Sequence, residues 1–584
     1  MPKSRLRGPV KNDQAVNFID CLGNTVADRP DDVAFQFLPN GEDEERSLTW
    51  AQLDRRARSI AYALAQITSP GDRVLLVFSP GLEFIEGFLA CHLADLIPVP
   101  TYPPRPERAW QGQRLVGSIA ANCKPAVILT GGYFASGIRQ LLENIPELSG
   151  IQWLNTDVLA ETTRTFRAPK AGKSDVGLLQ YTSGSTGEPK GVMITHRNLV
   201  HNEELMRLAF AHTEETEYAA GVCWLPPYHD MGLMGHILHG VYIGFPCAII
   251  PPLGILQWPV RWLKAISKYR ADASGGPNFI YELCSDKIHP ELREGLDLSH
   301  WNTAGCGAEP IRPQTLENFA KAYEPYGFRR EAFFPCYGLA EATLFVTGPD
   351  RGSGALVKEY PRLLGQGDLF DAPTSDGTQQ HVSCGRVWCD QTLEIVDPDT
   401  KLPTPGRVGE IWVAGPSVAS GYWNRPEATA ETFGQRLSNG QPGSFLRTGD
   451  LGFVDDGQLY VVGRLKDLII IRGKNFHPQD IEVVVAGTHE AFRRDCGAAF
   501  PVDVRGEERL VIVQEIDRQK RAIDLVDLKA RVQKAVLQAF DLRPHEIVFL
   551  RNSTLPKTTS GKVQRRETKR RYLAGDLAVW QSTR

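Results

Sequence analysis

The spacing of apolar residues changes period repeatedly along this chain, and that alternation limits its architecture more than any single motif does. Thr49 is placed to cap a helix whose inner face would carry Leu53, Ala57, Ile60, Ala61, Leu64 and Ile67, three and four residues apart. Pro70-Gly71-Asp72 stops it. The β-rich run from Arg73 to Phe78 follows, and Leu82 to Leu96 returns to helical spacing before a proline-rich stretch from Pro98 to Pro106. The same rhythm recurs through Ala126 to Leu129, Ala248 to Ile250 and a helix-like run from Trp258 to Ser267. It predicts an α/β protein, with parallel sheets covered by helices.

One polar interruption lies between two apolar runs, Val176 to Gln180 and Val192 to His196, both of which read as buried strands. It is Tyr181-Thr-Ser-Gly-Ser-Thr-Gly-Glu-Pro-Lys-Gly191. Gly184, Gly187 and Gly191 let the backbone turn tightly and aim N–H groups at an anion, while Thr182, Ser183, Ser185 and Thr186 add hydroxyl donors. Lys190 adds a full positive charge. Flexible linkers seldom sit between two apolar runs or end in Pro-Lys-Gly, so the stretch reads as a phosphate cradle. It is not a Walker A loop, because Pro189 rather than glycine precedes Lys190.

At 584 residues the chain needs more than one core. Its 65 basic and 69 acidic residues leave a net charge of −4, which offers no general attraction to nucleic acid or to an anionic membrane. Eleven scattered cysteines with no C-x-x-C pair indicate neither a disulfide framework nor a zinc ribbon, and fit a reducing cytoplasm. The first twenty residues lack a signal-peptide core, and no apolar run has membrane-spanning length. A cytoplasmic protein with no integral membrane segment and no nucleic-acid partner is expected.

From Pro349 to Cys384 turn-forming residues dominate, and residues 350–382 read as an insertion. Leu393 to Val396, Gly409 to Ala414 and Gln458 to Val462 then alternate as short strands of a β-rich subdomain over about 385–463. Beyond the motif Gly463-Arg-Leu-Lys-Asp467 comes a compact α+β unit with a long helical run from Val526 to Phe540. The boundary is expected at Lys466, dividing residues 1–465 from 466–584.

Six segments in order resemble the signature of the adenylate-forming acyl-activating enzymes. They are Tyr181 to Gly191, Pro226-Pro-Tyr-His-Asp-Met-Gly-Leu233, Tyr337-Gly-Leu-Ala-Glu-Ala-Thr343, Arg447-Thr-Gly-Asp450, Gly463 to Asp467 and Pro556-Lys-Thr-Thr-Ser-Gly-Lys562. The resemblance implies a large N-terminal domain, a mobile C-terminal domain hinged at Lys466, and ATP-dependent activation of a carboxylic acid. The acid attacks the α-phosphate and pyrophosphate leaves, a reaction helped mainly by positioning and charge neutralisation. It implies ATP contacts by Thr182, Ser183, Gly184, Ser185, Thr186, Gly187 and Lys190 at the phosphates. Gly307, Ala308, Glu309, Tyr337, Gly338, Leu339 and Ala340 would border the adenine, and Asp450 and Arg464 the ribose. Thr186 and Glu341 would hold Mg²⁺, a hard cation preferring oxygen. Lys562 is the implied catalytic lysine, and His229 the residue that gates the acyl pocket, or else a core histidine bonded to Asp230.

Three features look like the fatty acyl-AMP ligase branch: the Pro-Thr-Tyr-Pro-Pro-Arg105 stretch, Trp224 to Met234, and Asn475-Phe-His-Pro-Gln-Asp-Ile-Glu482. In that branch the insertion packs against the C-terminal domain and hinders transfer to coenzyme A. A fatty acid would then be the substrate, its tail among the apolar residues from Met231 to Pro252, and the acceptor an acyl carrier protein or a carrier domain of a polyketide or nonribosomal synthase. Arg565, Arg566, Lys569, Arg570 and Arg571 would offer such an acidic carrier a docking patch. A long-chain acyl-CoA synthetase is the alternative enzyme. A catalytically silent scaffold is disfavoured, because Lys562, Glu341 and Lys190 are all present. No G-x-S-x-G elbow points to a hydrolase.

Overall fold

In the computed structural model, residues 9–12, 15–42, 46–104, 109–132, 135–164, 170–182, 188–213, 216, 219–361, 378–471, 474–504, 507–517, 524–558 and 561–580 are described. A seven-stranded sheet runs in the order Phe333–Pro335, Thr303–Cys306, Ala273–Gly276, Gly221–Cys223, Cys247–Ile249, Val33–Phe37 and Arg46–Thr49. Every pair is parallel except the last. A second, all-parallel sheet orders Ile97–Pro100, Arg73–Leu76, Val127–Thr130 and Gln152–Asn155. The alternation in the sequence thus becomes α/β architecture.

The helix Trp50–Ala65 shows how local chemistry sets these elements. Thr49 and Gln52 exchange side-chain and backbone hydrogen bonds in a capping box, and Leu53, Ala57, Ile60, Ala61 and Leu64 are buried. Ile67 lies past the helix end and is 38% exposed, so it does not extend that face. Deeper in, Trp262, Tyr281, Trp301 and Phe319 pack edge to face around the large sheet. Both indoles donate to the sheet: Trp262 to Ser274 Oγ at 2.8 Å, and Trp301 to Thr303 O at 3.0 Å and Ser274 O at 3.2 Å. This fixes the strand that leads into Phe279.

The two runs flanking the polar loop are strands, Val176–Thr182 and Lys190–Thr195, but they form an antiparallel hairpin with Thr182 opposite Lys190 rather than joining a parallel sheet. The intervening residues Ser183, Gly184, Ser185, Thr186 and Gly187 lie outside the described residues. The segment after Ser420 lies along the second strand: Met193 N donates to Gly421 O at 2.9 Å, and Trp423 N to Gly191 O at 2.8 Å.

The β-rich part is an antiparallel sheet of Thr392–Val396, Gly409–Ala414, Leu446–Asp455 and Gln458–Arg464. Within the insertion, Val357–Pro361 pairs antiparallel with Thr378–Val382; residues 362–377 lie outside the described residues. Lys358 Nζ donates to Asp455 and Asp456 at 2.7 Å, and Tyr360 donates to Asp455 at 2.6 Å. Gln379 Nε2 reaches Asp480 Oδ1 at 2.9 Å, on the helix Pro478–Ala486.

Residues beyond Ile469 bury cores of their own, around Ile481, Leu528 and Val532 on one side of a sheet and Val511, Val513 and Leu550 on the other. That sheet consists of Phe492–Val504, Glu507–Ile516 and Glu546–Leu550. Arg565 begins the helix Arg565–Ala574 and is not a surface docking cation. Its guanidinium makes two 2.7 Å hydrogen bonds to Glu482 and lies 3.3 Å from Asp467. Arg570 and Arg571 both pair with Glu567 on the same helix, while Arg566 and Arg570 stay exposed, so of the expected docking patch Arg565 is the cation drawn inward.

Candidate active site

Successive parallel strands deliver the candidate residues at their C-terminal ends, where open α/β sheets bind ligands. Pro226 to Gly232 follows Gly221–Cys223, Phe279 follows Ala273–Gly276, Gly307 to Glu309 follows Thr303–Cys306, and Tyr337 to Glu341 follows Phe333–Pro335. Two backbone features are local necessities. Ala308 adopts φ +66°, and a Cβ on Gly338 would stand 1.7 Å from the Leu344 carbonyl oxygen, so only glycine fits there. Leu339 N donates to that same carbonyl at 3.0 Å, and Ala340 opens a single 3₁₀ turn that carries Glu341.

Asp450 joins two of the predicted residues. Tyr337 Oη donates to its Oδ2 at 2.9 Å, and Arg464 Nε lies 3.0 Å from its Oδ1. The aromatic ring, the carboxylate and the guanidinium together match what a purine ribonucleoside needs. Glu309 Oε1 accepts from Phe279 N at 2.7 Å. Burial pushes the Glu309 carboxyl up, while that hydrogen bond and the charges of Lys562, Arg312 and Lys557 oppose the rise.

His229 caps the short helix Asp230–Gly232, and its Nδ1 lies 2.7 Å from Asp230 Oδ1. The Asp230 bond belonged to the core-histidine reading, yet His229 keeps 27% of its side chain exposed. Burial would raise the Asp230 carboxyl, but His229, Lys562 and the Met231 N–H outweigh it and lower it. From Leu233 to Leu238 the chain is π-helical, and Leu233, Met234, Ile237 and Leu238 are buried.

Lys562 approaches from the C-terminal unit on a tight loop. Its N–H donates to Thr558 Oγ1 at 3.0 Å, and Thr558 N donates back to Lys562 O at 2.7 Å. Gly561 has φ +90°, and a Cβ there would stand 3.6 Å from the Phe279 ring. Burial and the Arg464 charge lower the Lys562 ammonium below its ordinary range, while Asp230, Glu309 and Asp450 hold it up. The charges of three carboxylates, carried by three separate segments, thus act on one cation. Ion pairs brace this approach: Arg494 lies 3.3 Å and Arg312 3.4 Å from Glu282, and Arg312 also pairs with Asp495.

Glu341 borders that group, and the charges of Arg464 and Asp230 act on its carboxyl. Burial raises its carboxyl, and Tyr422 Oη donates to its Oε1 at 2.8 Å. Lys190 Nζ lies 4.7 Å from the centroid of the Tyr422 ring. Oxygen donors of this kind suit Mg²⁺. Tyr422, Asp230, Phe279, Glu282 and Arg312 were not among the residues predicted for the site. For Tyr422 the available signal was an aromatic pair after Gly421, following a turn-rich run; the others depend on tertiary packing that no local pattern reveals.

Comparison with known proteins bears on the whole chain. Residues 22–423 match the AMP-binding enzyme family, and residues 466–582 match the AMP domain of Disco-interacting protein 2-like proteins. A medium-chain-fatty-acid–acyl-carrier-protein ligase of Moorena producens is 40% identical over 94% of this chain and 94% of its own length. A fatty acyl-adenylate ligase of Legionella pneumophila, solved with acyl adenylate and pyrophosphate, is 38% identical with a TM-score of 0.75, covering 98% of this chain and 100% of its own. Another, from a study of fatty acyl-adenylate ligases of E. coli and L. pneumophila, is 32% identical with a TM-score of 0.85, covering 97% and 99%. With matches of this extent, the chain belongs to the AMP-binding, adenylate-forming enzyme family and within it resembles the fatty acyl-AMP ligases.

Proposed function

We propose that this protein uses ATP to convert a fatty acid to its acyl-adenylate, and then passes the acyl group to the phosphopantetheine thiol of an acyl carrier protein or carrier domain. The observation that carries the reading is that the Lys562 loop, whose Gly561 lies against the Phe279 ring, approaches the strand ends bearing Glu309 and Asp230, with the charges of Asp230, Glu309 and Asp450 acting on the ammonium. A carboxylate and a triphosphate repel one another, and an ammonium between them lowers that cost most in the transition state. The acid's oxygen forms a bond to the α-phosphorus as the bond to the bridging oxygen breaks, and pyrophosphate departs toward the loop ending at Lys190. Tyr337 and the Gly307 to Glu309 turn border the base, while Asp450 and Arg464 suit the ribose. His229, beside Asp230, gates the acyl tail, whose binding gains about 0.8 kcal/mol per buried CH₂.

Glu341, with Thr186, would hold Mg²⁺, which when bound neutralises charge on the phosphate oxygens. Residues 466–584 move against 1–465 about Lys466, and the insertion contact from Gln379 to Asp480 supports a restraint on that motion. The free cysteines suit the cytoplasm. A second reading, an acyl-CoA synthetase, has support of its own: a putative fatty-acid–CoA ligase of Mycobacterium tuberculosis is 36% identical over 92% of the chain.

Lys562→Ala tests the mechanism. Pyrophosphate exchange dependent on fatty acid should fall roughly 10²–10³-fold, the scale for losing one charge-stabilising donor. An unchanged rate in a folded variant would remove Lys562 from the chemistry.

A further inference from the structure

Tyr422 contacts two groups that the proposed reaction uses, and its backbone is fastened to the segments that carry both. Its hydroxyl donates to Glu341 Oε1 at 2.8 Å, and its ring lies under the Lys190 ammonium at 4.7 Å. The backbone around it is pinned on two sides. Ala419 N donates to the Glu341 carbonyl at 2.9 Å, while Ser420 N and Trp423 N donate to Met193 O and Gly191 O at 3.0 and 2.8 Å. Val192 pairs directly with Tyr422 as an isolated bridge. The segment Ala419 to Trp423 therefore fastens the turn carrying Glu341 to the strand on which Lys190 stands.

We propose that Tyr422 is a positioning residue for nucleotide activation: its hydroxyl fixes the Glu341 carboxylate for a divalent cation, and its ring holds the Lys190 ammonium toward the phosphates. The proposal rests on the metal role given to Glu341 above. A hydroxyl bonded to one oxygen sets the rotation of the carboxylate and leaves the second oxygen for a cation. Groups that orient a metal ligand in this way are commonly worth 10- to 100-fold in metal affinity. The ring does separate work, because its face attracts the Lys190 ammonium and limits where it can swing.

The test is binding of Mn²⁺ to the enzyme–ATP complex, read from the electron paramagnetic resonance of free Mn²⁺, in wild type, Y422F, Y422L and E341Q. Y422F keeps the ring and should weaken Mn²⁺ binding about 10-fold with the KM for fatty acid unchanged. Y422L should in addition raise the KM for ATP. Wild-type Mn²⁺ affinity in Y422F alongside weak binding in E341Q would overturn the positioning role while leaving Glu341 as ligand. Unaltered binding in E341Q as well would place the fault in the assignment of Glu341 and take the proposal down with it. Because Y422F removes a single hydroxyl, it decides the matter even where Y422L does not fold.

Discussion

Replacing Gly561 by alanine should separate the two halves of the reaction. A Cβ at this position would meet nothing nearer than the Phe279 ring at 3.6 Å, an ordinary contact, so the substitution causes no collision. The penalty is in the backbone, because φ is +90°, a region that residues with a Cβ adopt at a cost of about 1–3 kcal/mol. If the loop keeps its shape, that cost falls on the closed state. If it relaxes, Lys562, the next residue, turns away from Asp230, Glu309 and Asp450. Either way the barrier to adenylate formation rises by that amount, a loss of about 5- to 160-fold in rate. Pyrophosphate exchange would measure it. Transfer from pre-formed acyl-adenylate to carrier protein, which in the proposed mechanism does not use this pose of Lys562, should be little changed. Leu555 and Val563, which flank the loop, belong to the core around Val513, but Gly561 does not, so thermal stability should fall by no more than that same backbone cost. Wild-type exchange, or equal losses in both half-reactions, would refute the reasoning.

Two further outcomes follow from charge and burial. Burial pushes His92 down to about 3, and His196 and His477 to about 4, from 6.5. Depressed folded values mean the unfolded chain binds protons first, so stability is full above pH 6.5 and is lost as pH falls toward 4, by up to roughly 3 kcal/mol per histidine. Urea midpoints between pH 7.5 and 4.5 check this, and a flat profile would contradict it. Arg565→Glu should cost the C-terminal unit about 3–5 kcal/mol, because it leaves Glu482 and Asp467 facing a like charge. Thermal unfolding reports the loss; a normally stable variant that failed only in carrier transfer would restore Arg565 as a docking residue.

Much of this was legible in the sequence where chemistry is local. Thr49 announces a capped helix, and the parallel sheets follow from alternating periods closed by turn residues. Ile67 fits the helical spacing but falls beyond the last turn, which spacing alone cannot mark. The hairpin at Val176–Thr182 and Lys190–Thr195 was legible as two strands but not as an antiparallel pair, because an apolar run does not specify its partner's direction. Arg565 looked like part of a solvated basic run; its burial depends on Glu482, more than eighty positions away in sequence. Tyr422 was hidden for the same reason, since its meaning comes from Glu341 and Lys190 on other elements.

The most direct measurement offers the enzyme ATP, a ladder of fatty acids, and both coenzyme A and a holo acyl carrier protein at equal concentration. Acyl-adenylate formation, thioester on the carrier protein and little or no acyl-CoA are expected, with Lys562→Ala slowing the first step roughly 10²–10³-fold. Acyl-CoA formed at a rate comparable to the carrier thioester would contradict this and identify the protein as an acyl-CoA synthetase.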